Sequence, residues 1–220
     1  MATLRAGLLG CIILAAVLAA PAQGQGQMPQ NQMSQDRMPP IPADKLTEAQ
    51  KKAAEAFAEG RGYQVRGPFV PLLRSPEVML RAKSLSDYLR FKSTLEPRLN
   101  EMAILITARE WTQQYEWNAH FPAALKAGLR REIAVAIAEG VRPRGMADDE
   151  EALYDVATEI LRLKRVSDPT YRRAVAKFGE QGVIDLLGVV GYYNLLAIVM
   201  NATRTALPPN VAEPLKRYPE

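Results

Sequence analysis

Glu101-Met102-Ala103-Ile104-Leu105-Ile106-Thr107-Ala108-Arg109, followed by Tyr115-Glu116-Trp117-Asn118-Ala119-His120, is the stretch on which the reading of this chain turns. Met102, Leu105, Ile106 and Arg109 recur at three-and-four spacing within an almost solidly apolar run, the pattern of a helix that is mostly inside. Glu101 sits at the edge of that run, where an unpaired charge would be costly, so its carboxyl is expected to be desolvated and close to His120. Glu116 and His120 lie four apart on the next helix and share a face. His120 is the sole histidine, so it is the side chain whose ordinary titration falls in the physiological range. Two carboxyls and one imidazole in this pattern form a candidate acid–base constellation.

Working outward, the punctuation is helical throughout. Thr47-Glu48-Ala49-Gln50 is a capping box opening a helix that runs to about Gly60. Ser75-Pro76 supplies an N-cap with proline at the first helical position, for a helix to about Lys92, and Pro97 starts the next. Helices are expected from Tyr115 to Lys126 and from Arg131 to Glu139, ended by Gly128 and Gly140. Asp148-Asp149-Glu150-Glu151 suits the positive end of a helix dipole, and Ser167-Asp168-Pro169 opens a helix closed at Gly179. Val183 to Met200 is the most apolar segment beyond the N-terminus. Asp185, Gly188, Gly191 and Asn194 argue against a membrane span there and for a buried or interface helix. No segment alternates with a period of two, so the fold class is all-α.

The chain's 220 residues suit one domain, placed at residues 45–220. With 28 Lys+Arg against 24 Asp+Glu, the net charge is +4, and these charges are interspersed, which excludes a nucleic-acid partner. Residues 1–22 carry Arg5, an apolar run from Ala6 to Ala19, and Ala20-Pro21-Ala22: a secretory signal peptide, implying a secreted or periplasmic protein with no stable membrane insertion after cleavage. The sole cysteine, Cys11, would leave with it, so the mature chain has no thiol nucleophile. Residues 23–44, rich in Gln, Pro and Met, are expected to form a disordered tether.

The run Glu101-x-x-Ile104-Leu105-x-x-Ala108, then Tyr115-Glu116-x-x-x-His120, Ala127-Gly128-Leu129 and Gly191-Tyr192-Tyr193-Asn194, resembles the carboxymuconolactone decarboxylase and alkyl hydroperoxidase D (AhpD-like) superfamily, over roughly residues 67–208. The resemblance implies an AhpD-like helical bundle, assembled as a trimer or hexamer through the terminal helices. Its peroxidase branch uses Cys-x-x-Cys; aligned on Glu101 and His120, this chain has Gln113 and Glu116 at those places, so the thiol route to peroxide reduction is missing. Its decarboxylase branch acts on a lactone acid with no metal or organic cofactor. Cofactor-free decarboxylation must stabilise a dienolate and deliver a proton to carbon. On that reading His120 is proton shuttle and electrostatic stabiliser, Glu116 its partner or the alternate acid, and Glu101 the carboxylate setting their protonation. Tyr115 and Trp117 would shape the substrate pocket. A metal triad of Glu101, Glu116 and His120 is the weaker reading, because one imidazole and no thiolate make a poor transition-metal site. A noncatalytic small-molecule binding or scaffold protein on the same fold is the alternative from another class, and hydroperoxidase chemistry by other residues the remaining one.

Overall fold

The computed structural model describes residues 36–59, 61–209, 211, 215 and 216. The expected signal peptide, Cys11 and the first part of the expected tether lie outside the described residues. A 3-10 turn, Ala43–Lys45, precedes α1 (Glu48–Ala58), α2 (Phe69–Leu72), α3 (Pro76–Phe91), α4 (Pro97–Glu110), α5 (Gln114–Lys126), α6 (Arg131–Ala138), α7 (Asp148–Leu163) and α8 (Asp168–Thr203). Among the described residues there is no strand, and the all-α expectation holds.

The local signals act as the residues require. Thr47 Oγ1 accepts the Gln50 backbone N–H at 3.3 Å while Gln50 Oε1 accepts that of Thr47 at 3.0 Å, closing the capping box. One face of α1 then buries Ala53 and Phe57, and Phe57 packs on Phe69 of α2 with ring centroids 4.5 Å apart. α4 is the central rod: Met102 to Ala108 are all buried, and the helix packs against α5, α6, α7 and α8. Its exposed-side partner at the N-terminus is ionic, with Arg98 donating to Glu150 at 2.6 Å and Asp149 at 2.7 Å in the first turn of α7.

As expected, the helix opened at Asp168 is interrupted at Gly179, whose φ of 69° and ψ of 171° are non-helical and favour a residue without a Cβ, and α8 resumes beyond it. One boundary differs from expectation. Residues 36–39 hydrogen-bond to the fold, within a stretch expected as a disordered tether. The Arg37 N–H donates to the Thr203 carbonyl at 2.8 Å, and the Arg74 guanidinium donates to the Pro39 carbonyl at 2.7 Å. Backbone carbonyls carry these contacts, and composition says nothing about them.

α8 is long and apolar enough to cross a membrane by length and composition, yet just over half of its most apolar window, 56%, is buried by other helices. Val183, Leu186, Val190, Tyr193, Ala197 and Met200 face the core. Asp185 is buried with them, accepting from the Tyr88 hydroxyl at 3.0 Å and from the Thr94 N–H and hydroxyl at 2.8 and 3.0 Å. The opposite edge exposes Ile184, Gly191, Leu195 and Ile198, an apolar stripe without a partner among the described residues.

Candidate active site

α4, α5 and α8 bring three side chains into line. His120 Nδ1 lies 2.6 Å from Glu101 Oε2, and its Nε2 lies 3.2 Å from the Tyr193 hydroxyl. A carboxylate only accepts, so the Glu101 contact assigns the Nδ1 hydrogen to His120. Nε2 is then the working nitrogen: it accepts from the Tyr193 O–H when the ring is neutral and donates when it is charged. The two rings meet edge to face at 5.1 Å, which holds the imidazole plane. Burial pushes the Tyr193 phenol well above its ordinary range, so it remains a hydroxyl and a donor.

This line ends at a cavity of about 360 Å³ bounded by α1, the 61–69 loop, α3, α5 and α8. His120, Tyr193, Glu116, Tyr115 and Tyr192 line it, as do three arginines: Arg61, Arg66 and Arg90. Glu101 does not line it; the carboxylate sits behind the imidazole, with 14% of its side chain exposed. Arg61 stacks on Phe57 and Phe69 at 4.8 and 5.3 Å and is neutralised by Asp87 at 2.5 Å. Arg66 covers the Tyr63 ring at 3.8 Å on the solvent side. Tyr192 is pushed up to about 12, chiefly by burial.

Glu116 is 2% exposed, and neither carboxyl oxygen has a hydrogen-bond partner among the described residues. Burial pushes its carboxyl well above the ordinary range, which favours the neutral acid. The expected pairing of Glu116 with His120 is therefore replaced. Both face the cavity, as their four-residue spacing requires, but the imidazole's partner comes from α4, nineteen residues earlier. Trp117, expected at the pocket, is 3% exposed and stacks on Phe121 at 5.7 Å away from the cavity lining. One residue along a helix turns the side chain by about 100°, enough to carry it from the cavity into the core. Tyr115 lines the cavity as expected and closes over Gly67: a Cβ at Gly67 would lie 2.6 Å from its ring, and φ there is +57°. Gln113 caps α5, accepting from the Tyr115 N–H at 2.8 Å, and donates to Asn201 at 2.7 Å. Among the described residues no three His, Cys, Asp or Glu side chains gather into a metal-ligand set. The arginines, Tyr192 and Tyr193 were not expected as site residues, because Arg61 and Arg66 come from one loop, Arg90 from α3 and the tyrosines from α8, and no spacing in the sequence links them to His120.

No known family profile matches the chain, and no curated protein matches it. A solved structure does: a protein of unknown function from Agrobacterium tumefaciens, described as a candidate antioxidant defence protein AhpD, is similar at 17% identity and a TM-score of 0.52, covering 61% of this chain and 93% of the other. At that identity the likeness speaks to backbone architecture, and it agrees with the resemblance carried by the Glu101 to His120 stretch. The described chain has the all-helical AhpD-like fold.

Proposed function

We propose that this chain is an exported, oligomeric, cofactor-free acid–base enzyme acting on a small organic acid or lactone. The observation that supports it best is the line Glu101–His120–Tyr193 ending at an arginine-rich cavity of small-molecule size. In a decarboxylation the bond between carbon and the departing carboxylate breaks, carbon dioxide leaves, and the electron pair stays on the substrate as a dienolate. The imidazolium of His120 stabilises that charge and returns a proton from Nε2 to carbon, while Glu101 holds Nδ1 and stabilises the charged ring. The proton is regained from solvent. With no cysteine beyond Cys11, peroxide reduction through a thiol pair has no nucleophile.

The mature chain, screened against lactone acids and hydroperoxides, is expected to turn over a lactone acid. His120→Ala should lower that turnover by about 10²–10⁴-fold, the usual range for a positioned acid–base group. Equal turnover in the variant would leave the binding-protein reading standing. Export rests on the Arg5 and Ala6–Ala22 pattern, and a mature N-terminus found at residue 1 would remove it. Assembly rests on the exposed stripe of α8, where Ile184 is 67% and Ile198 48% exposed. Light scattering should show a trimer or hexamer that Ile184→Glu with Ile198→Glu breaks down; a wild-type monomer at micromolar concentration would overturn it.

A further inference from the structure

We propose that Arg90 anchors a carboxylate of the ligand in the cavity that holds His120, and so decides that the ligand is an anion. The proposal rests on the reading of that cavity as the ligand site. Five arginines that have carboxylate partners set the contrast. Arg61 has Asp87, Arg98 has Asp149 and Glu150, Arg162 has Glu110, and Arg142 and Arg173 share Asp155. Arg90 is half-buried on α3 and lines the cavity, yet among the described residues its guanidinium meets only the Phe91 ring, 5.2 Å away, and no carboxylate. Its field reaches both Tyr192 and Tyr193, opposing the effect of burial on their phenols, so the charge lies within range of the hydroxyl that contacts His120.

A half-buried cation is costly to leave uncompensated, and a planar fork of N–H donors matches a carboxylate better than any other small group. Among the described lining residues the one acidic side chain is Glu116, which burial pushes towards the neutral acid and which makes no hydrogen bond to Arg90. Arg61 is already balanced by Asp87, and Arg66 is exposed, where water screens it. The aromatic rings of Phe57, Phe69 and Tyr115 among the lining residues suit a flat, partly apolar ligand body.

Benzoate and benzamide have one shape and differ in charge, which makes them the probes. Titration calorimetry on the mature chain should show benzoate binding at least tenfold tighter than benzamide. Arg90→Gln should weaken benzoate by at least tenfold and leave benzamide unchanged; Arg90→Lys should recover part of the preference. Arg66→Gln should cost benzoate less than threefold. Circular dichroism melting checks that each variant is folded. Ala119→Trp, which fills the exposed mouth of the cavity, should abolish both ligands. If both ligands bind and Arg90→Gln leaves their ratio unchanged, the anchor is overturned while the cavity reading stands. If both still bind to Ala119→Trp, or neither binds to the wild type, the cavity reading falls and the anchor with it.

Discussion

Two regions of this molecule each hold a buried carboxyl, and they treat it in opposite ways. At the junction of α3 and α8, Asp185 is 4% exposed and accepts three hydrogen bonds. At the cavity, Glu116 is 2% exposed and accepts none among the described residues. Burial is the same, so burial does not separate them; partners do. A buried acceptor with three donors holds helices together, whereas a buried acid with none is a cost that the fold carries. The Asp185 region is scaffold. The Glu116 region is where the scaffold has been left chemically open, beside an imidazole held from both sides and a guanidinium that meets no carboxylate among the described residues.

The comparison predicts stability changes of opposite sign. Asp185→Ala strands the Thr94 N–H and the Tyr88 hydroxyl and should lower stability by about 3 kcal/mol, measured by urea unfolding. Glu116→Gln should instead raise stability at neutral pH, by about 1–2 kcal/mol, because it removes a group whose ionisation the native state opposes. The sign follows from linkage. Below the unfolded glutamate value of ~4.3 both states are protonated and Glu116 has no effect. As pH rises above that, the unfolded chain ionises and the native chain does not, so stability falls until the raised native value is passed. Denaturation of the wild type and Glu116→Gln should therefore diverge from about pH 4 upwards. A constant difference at all pH values would mean that Glu116 is ionised in the fold.

A third, smaller effect belongs to the scaffold side. Burial raises the Asp149 carboxyl, but the hydrogen bond from Arg98 and its charge outweigh that and hold it below the ordinary range. Its contribution is present above the unfolded value of ~3.9 and lost as pH falls through the native one. Asp149→Asn should cost under about 1 kcal/mol at pH 7, as expected for a pair that water still reaches, and should soften the acid limb of the stability profile. No change in that limb would assign acid unfolding to other carboxyls.

The sequence made some of this legible and not the rest, for physical reasons. Helix starts were readable at Thr47, Pro76, Pro97 and Asp168 because caps and prolines act on their own backbone. The shared face of Glu116 and His120 was readable because helix geometry fixes it. That Glu101 lies beside His120 was readable too, from the cost of an unpaired charge at the edge of an apolar run; that Glu116 makes no hydrogen bond to the imidazole was not, since it depends on how α4 crosses α5. The interruption at Gly179 was readable because a glycine takes a positive φ without the cost of a Cβ. Phe69–Leu72 folds as a short helix despite Pro68 and Pro71, with Phe69 seated on Phe57, a contact between residues twelve apart that no local signal announces. The arginines converge from a loop and a helix and leave no motif.

The central claim is that His120, in its cavity, does the proton work. The chain's single histidine makes its imidazole resonance unambiguous in a nuclear magnetic resonance spectrum. During titration with a lactone acid that the mature chain turns over, that resonance should shift saturably, with a midpoint equal to the affinity measured by calorimetry, and His120→Gln should abolish turnover while still binding the acid. Saturable binding with an unmoved imidazole signal and full turnover in His120→Gln would contradict the account.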